Sequence, residues 1–210
     1  MNSLEPLHTV VVRVWLPDRP GALGQVASRI GAVRGDVLAI EILEVGGGRA
    51  IDELVVALPD ADLVELMVAE VHAIDGVSVE HVRLADGDHN DGGLLALVLA
   101  AELAEADDGE QLGVLVEGMM RLTDAAWAMA VHDGDLVASS GVVPSAEWVT
   151  SLLAGSQHLG DPHATSGDMF WADMPSSNIW LAAGRDGRPV HERERLRFDL
   201  FARIADSLLG

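Results

Sequence analysis

The run Asp18-Arg19-Pro20-Gly21 stands where an apolar strand pattern gives way to a helical one, and its residue types suit the capture of a charged small molecule. Pro20 fixes its own φ, Gly21 permits an otherwise forbidden turn, and a helix starting there leaves its first amide N–H groups unpaired. A carboxylate can dock on that end, and Asp18 beside it can hold an ammonium group. Together these features suit a free amino acid. From the residues alone, an Asx turn or a simple loop cap accounts for Asp18 as well.

Other groups invite chemistry less strongly. His158, Asp161 and His163 share a polar loop, and His with carboxylate can ligate a divalent metal, but their spacing fits no dedicated motif and a solvated loop explains it. His132 with Asp133 and Asp135 reads as a hairpin turn rather than an acid–base pair. Ser139 and Ser140 precede Gly141 without a Gly-x-Ser-x-Gly elbow and without a His to partner them. Trp127, Phe170, Trp171 and Trp180 come from three separate strands and either line a second pocket or belong to the core. No catalytic residue, metal or cofactor is expected.

Composition narrows the field further. The chain has 210 residues and net charge -21; all 13 basic residues are arginine, and lysine, cysteine and tyrosine are absent. That excludes Schiff-base lysines, a Gly-Lys-Ser/Thr phosphate loop, disulfides, thiol nucleophiles and cysteine metal sites. Negative charge is spread over both halves, so no basic face is available to neutralise a phosphate backbone, and direct nucleic-acid binding is not expected. No apolar run is long enough to span a bilayer, and Met1 to His8 lacks the basic flank of a signal peptide. A cytoplasmic protein with 49% hydrophobic residues and a folded core is the expectation.

The elements that position these residues follow from periodicity. Thr9 to Leu16 alternates, with Val10, Val12, Val14 and Leu16 on one face and Val11, Arg13 and Trp15 on the other. Leu23, Val26, Ile30 and Val33 then fall at helical spacing. Val37 to Val45 and Ile51 to Leu58 flank Gly46-Gly47-Gly48 as a hairpin. Asp60 is placed to cap a second helix with Leu63, Leu66, Met67, Val71 and Ile74 inward, and Val77 to Leu84 closes a βαββαβ unit. Right-handed crossovers put both helices on one face of an antiparallel sheet, leaving Val11, Arg13 and Trp15 on a bare face near Glu41 and Glu53. After a polar Gly/Asp linker at 87–93, residues 94–210 read as helices before and after an antiparallel sheet. The last helix is expected to turn Leu196, Phe198, Phe201, Ile204 and Leu208 inward and Glu192, Arg193, Glu194 and Arg195 to water.

The segment Val10 to Leu84 resembles an ACT domain, a small ligand-binding module attached to enzymes and regulators of amino-acid metabolism. The resemblance rests on the element order, on Asp18-Arg19-Pro20-Gly21-Ala22-Leu23 after the first strand, and on Gly48-Arg49-Ala50-Ile51-Asp52-Glu53-Leu54 in the hairpin. It implies an α+β, ferredoxin-like domain over 1–86 that pairs side by side as a homodimer. It also implies an amino-acid ligand held by Leu16, Asp18, Pro20, Gly21, Ala22 and Val37. Leu16 and Val37 stand where some members carry polar residues, which implies a more apolar pocket. The stretch Ile179 to Glu194 makes 94–210 resemble a GAF domain, with a roadblock-like domain as the neighbouring possibility. The expected function is non-enzymatic sensing of an amino acid or related small molecule; the alternative is an interaction scaffold for a protein partner.

Overall fold

A computed structural model of the chain describes residues 8–85, 91–156 and 167–210, with 152–156 described by backbone alone. It divides into two compact units, Met1–Asp91 and Gly92–Gly210. Residues 87–90 of the expected linker lie outside the described residues, as does the loop carrying His158, Asp161 and His163, while residues 92 and 93 already belong to a helix.

In the N-terminal unit β1 (His8–Pro17), α1 (Ala22–Ala32), β2 (Asp36–Gly46), β3 (Arg49–Leu58), α2 (Leu63–His72) and β4 (Ser78–Leu84) follow the βαββαβ order. The sheet is antiparallel in the order β2-β3-β1-β4. Val10 stands opposite Val56 and Val12 opposite Leu54, and these side chains pack with Val26 and Ile30 of α1 and Met67 and Val71 of α2. Two expectations about α2 are corrected. Leu66 is half exposed, because the i, i+4 row of Met67 and Val71 makes the contact. Asp60 does not cap the helix; its carboxylate accepts the Asp62 N–H at 3.1 Å, tightening the turn before it.

The opposite face of this sheet is not bare. Val11, Arg13, Ile51, Val55 and Ala57 are all buried. Arg13 donates to Glu53 at 2.7 Å and lies 3.7 Å from Glu80 on β4, whose carboxylate also accepts the Trp15 indole N–H at 2.5 Å. Glu41 sits one strand further out, opposite Glu53. A buried arginine needs such acceptors, since an unpaired guanidinium would lose its hydration without compensation.

The C-terminal unit comprises α3 (Gly92–Glu105), α4 (Gln111–Thr123), β5 (Trp127–His132), β6 (Asp135–Gly141), α5 (Ala146–Ser156), β7 (Met169–Met174), β8 (Ile179–Gly184) and α6 (Glu192–Leu209). Its antiparallel sheet runs β6-β5-β8-β7. Residues of α3, α4 and α6 pack on one face against Ala128, Ala130, Phe170 and Leu181; Val149 of α5 packs on the other against Met129, Val131 and Ala182. The Trp127 ring occupies the space over Gly184, where an added Cβ would stand 2.4 Å from ring carbon. Gly184→Ala is expected to displace that indole at a cost of about 1–3 kcal/mol, read by denaturant unfolding and the Trp127 indole NMR signal; an unmoved signal with unchanged stability would show that the methyl is accommodated without displacing the ring.

Candidate functional site

The junction between β1 and α1 is built by backbone first. The Asp18 N–H donates to the Gly48 carbonyl at 3.0 Å, which ends the ladder, and Gly21 at φ 85° turns the chain into α1. The Ala22 N–H returns to the Arg19 carbonyl and the Gln25 N–H opens the helix on Gly21, so the N–H groups of Leu23 and Gly24 start without intrahelical acceptors. Asp18, Pro20 and Gly21 are exposed, and Ala22 is buried beneath them. Among the described residues the Asp18 carboxylate makes no cap bond to α1 and no Asx turn, the two structural roles open to it in the sequence.

A second acid lies nearby on β3. Asp52 stands opposite Val14 on β1 and Ile42 on β2, on the helix-covered face with Leu54, and is 3% exposed. Its Oδ1 has no hydrogen-bond partner among the described residues. Burial pushes its carboxyl above the usual range, and the Asp18 charge raises it further. The alternation Asp52, Leu54, Val56, Leu58 marks Asp52 as inward-facing; that signal was legible in the sequence, although it singled out no role. A raised carboxyl favours the protonated form in the folded state, so at neutral pH ionisation costs stability that is recovered as pH falls through the raised value. Asp52→Asn is therefore expected to raise the unfolding free energy near pH 7, the gap closing on acidification. A thermal-denaturation series across pH checks this, and a lower midpoint for the variant at pH 7 would contradict it.

Beside Asp52 the edge strand β2 presents a row of half-exposed aliphatic side chains, Leu38, Ile40, Ile42 and Val45. Ile40 and Ile42 pair with Leu54 and Asp52, so they share the helix side of the sheet. Leu16 is 3% exposed within the core at the junction end of β1, whereas Val37 pairs with Val56, level with Val10 at the far end of the sheet, so the structure does not bring Val37 to the Asp18 loop.

The four aromatics of the C-terminal unit do not converge. Phe170 faces α6, with its ring 5.3 Å from Phe198, whereas Trp127, Trp171 and Trp180 are partly buried against the opposite cluster. Adjacent positions on a strand face opposite ways, so Phe170 and Trp171 cannot share a pocket.

Polar burial in this unit is structural. Arg185 makes a two-pronged pair with Glu194 at 2.9 and 2.7 Å and donates to the carbonyls of Thr123 at 3.1 Å and Pro189 at 2.8 Å. Glu194 also accepts the His191 N–H at 2.9 Å, capping α6. Glu194 is thus buried, not turned to water, while Leu196, Leu200, Ile204 and Leu208 are exposed where Leu196, Ile204 and Leu208 were expected inside. Burial pushes the Asp206 carboxyl up, but hydrogen bonds from the Ser176 and Ser177 N–H groups and the Ser177 hydroxyl outweigh it and hold it below the usual range. His132 Nδ1 is 3.6 Å from Asp133, whose carboxylate receives the Asn178 amide at 2.7 Å in the hairpin turn. Ser139 and Ser140 pair with Met129 and Ala128 along β6. Among the described residues no three His, Cys, Asp or Glu side chains group to hold a metal, and no helix is long and apolar enough to cross a membrane.

Residues 10–76 match the family model of the ACT domain. Among solved structures, the ACT domain from a GTP pyrophosphokinase of Chlorobium tepidum is 17% identical, with TM-score 0.31, over 36% of this chain and 97% of its own. A protein of Thermotoga maritima is 22% identical, with TM-score 0.31, over 39% of this chain and all of its own. A protein assigned as a glycine cleavage system transcriptional repressor is 12% identical, with TM-score 0.34, over 96% of this chain and 94% of its own. No curated protein sequence matches the chain.

Proposed function

We propose that this chain is a non-enzymatic regulatory protein whose ACT-like unit binds an amino acid or related small molecule at the β1–α1 junction and pairs with a second copy through β2. The observation that carries this reading is the Asp18 carboxylate, unengaged among the described residues at the start of α1. Amide donors meet a ligand carboxylate, and the Asp18 charge attracts its ammonium group. An open edge strand carrying four half-exposed aliphatics suits pairing with a symmetry mate.

The C-terminal unit reads as GAF-like, supported by its sheet with helices on both faces, and would relay the ligand state in the cytoplasm. Ligand and association equilibria need differ by only a few kcal/mol between states for such coupling. A second reading, an interaction scaffold without a small ligand, is favoured by one feature: the exposed row Leu196, Leu200, Ile204 and Leu208 at i, i+4 spacing along α6. Native mass spectrometry of the full chain with a mixture of free amino acids separates the two. A dimer carrying added ligand mass supports the sensor, and a ligand-free species at every concentration supports the scaffold.

A further inference from the structure

We infer that Asp52 is the residue that selects the ligand for a protonated amine, a role that rests on the ligand reading above and assigns its cationic end to a buried acid on β3. Among the described residues the other buried charges are matched: Arg13 has Glu53 and Glu80, Arg185 has Glu194, and Asp206 has Ser176 and Ser177. Asp52 alone retains an unpartnered buried side-chain oxygen among the described residues. Leaving a buried acceptor unpaired costs free energy that native proteins rarely tolerate without a use for it.

The charge pattern specifies the class of partner. Both neighbouring acids lack a cation among the described residues, and the Asp18 field reaches Asp52, so a positive group entering here is attracted by both. Two carboxylates fall short of the oxygen count a calcium or magnesium ion requires. An ammonium head is compact and brings three donors, which suits an acceptor enclosed between Val14 and Ile42 better than the wide planar fork of a guanidinium. Entry is from the β2 side. Ile42, directly opposite Asp52, is half exposed, so a short hydrocarbon chain lying on Ile40 and Ile42 delivers its ammonium end to the carboxylate.

The test uses the full chain and three isosteric probes, n-butylammonium chloride, n-butanol and sodium butyrate, together with the free amino acids, in wild type and Asp52→Asn. Thermal midpoints give affinities, and the Asp52 side-chain carbon NMR signal reports on the group itself. Butylammonium is expected to stabilise wild type saturably and to shift that signal, while butanol and butyrate do neither. Asp52→Asn is expected to weaken butylammonium, and any amino acid that binds, at least about tenfold, the loss of one charge-assisted hydrogen bond. If an amino acid binds wild type and Asp52→Asn equally, the role of Asp52 is overturned and the sensor reading stands. If butylammonium binds through Asp52 but no amino acid does, the amine site stands and the amino-acid reading falls. If no amine binds, both fall.

Discussion

Glu194→Ala is expected to destabilise the C-terminal unit by about 3–5 kcal/mol, because it strands Arg185 without its carboxylate in the interior. The two side chains are 2% and 10% exposed, so water screens the pair little. Arg185 fixes more than one element: its guanidinium also holds the Thr123, Arg188 and Pro189 carbonyls and lies 5.1 Å over the Phe170 ring. Glu194 simultaneously caps α6. Removing it therefore loosens the end of α4, the turn after β8 and the start of α6 together. For a unit of this size the melting temperature should fall by roughly 10–20 °C, followed by tryptophan fluorescence, since four of the five tryptophans lie here. The double change Arg185→Met with Glu194→Met removes both charges and should recover most of that loss. A fall below about 1 kcal/mol for Glu194→Ala would show that the pair contributes little.

For the pairing proposed through β2, Ile42→Glu is expected to raise the dissociation constant of the proposed dimer at least about a hundredfold. The side chain is half exposed in the single copy, on the edge strand of the N-terminal sheet. In a two-fold interface one substitution appears twice, placing new like charges on both sides and removing two aliphatic contacts. The monomer itself should keep its stability within about 0.5 kcal/mol, because an exposed position loses little on substitution. Sedimentation velocity across a concentration series distinguishes the outcomes. An unchanged dimer would place the contact on another surface.

The parts of this molecule governed by periodicity were readable from residues alone. Val10, Val12, Val14 and Leu16 alternate, and Val26 and Ile30 repeat at helical spacing, so the βαββαβ order and the inward faces followed without tertiary information. The α6 helix escaped because it is apolar on two sides. Phe198, Phe201, Ala202 and Ala205 form the buried row, whereas Leu196, Leu200 and Ile204 form an exposed one, and hydrophobicity alone does not rank them. Glu194 was misassigned for a related reason: a charge is normally solvated, and only the arrival of Arg185 from the β8 turn makes its burial tolerable. The split of Phe170 from the three tryptophans was latent in strand alternation, since Phe170 and Trp171 are neighbours.

At the candidate site, Asp18 and its loop were visible as a motif, but the absence of a cap bond to its carboxylate depends on side-chain geometry. Asp52 was visible only as an acid at an inward position, and its missing partner is a fact of three strands, not of one.

The central claim, that the β1–α1 junction receives an amino acid, is tested most directly by thermal-shift titration of the full chain with each free amino acid, in wild type and Asp18→Ala. One or a few amino acids should raise the wild-type midpoint saturably, by the equivalent of about 2.7 kcal/mol at a hundredfold excess over Kd, and Asp18→Ala should lose that response while remaining folded. No shift with any amino acid in wild type, or an equal shift in folded Asp18→Ala, would contradict the account.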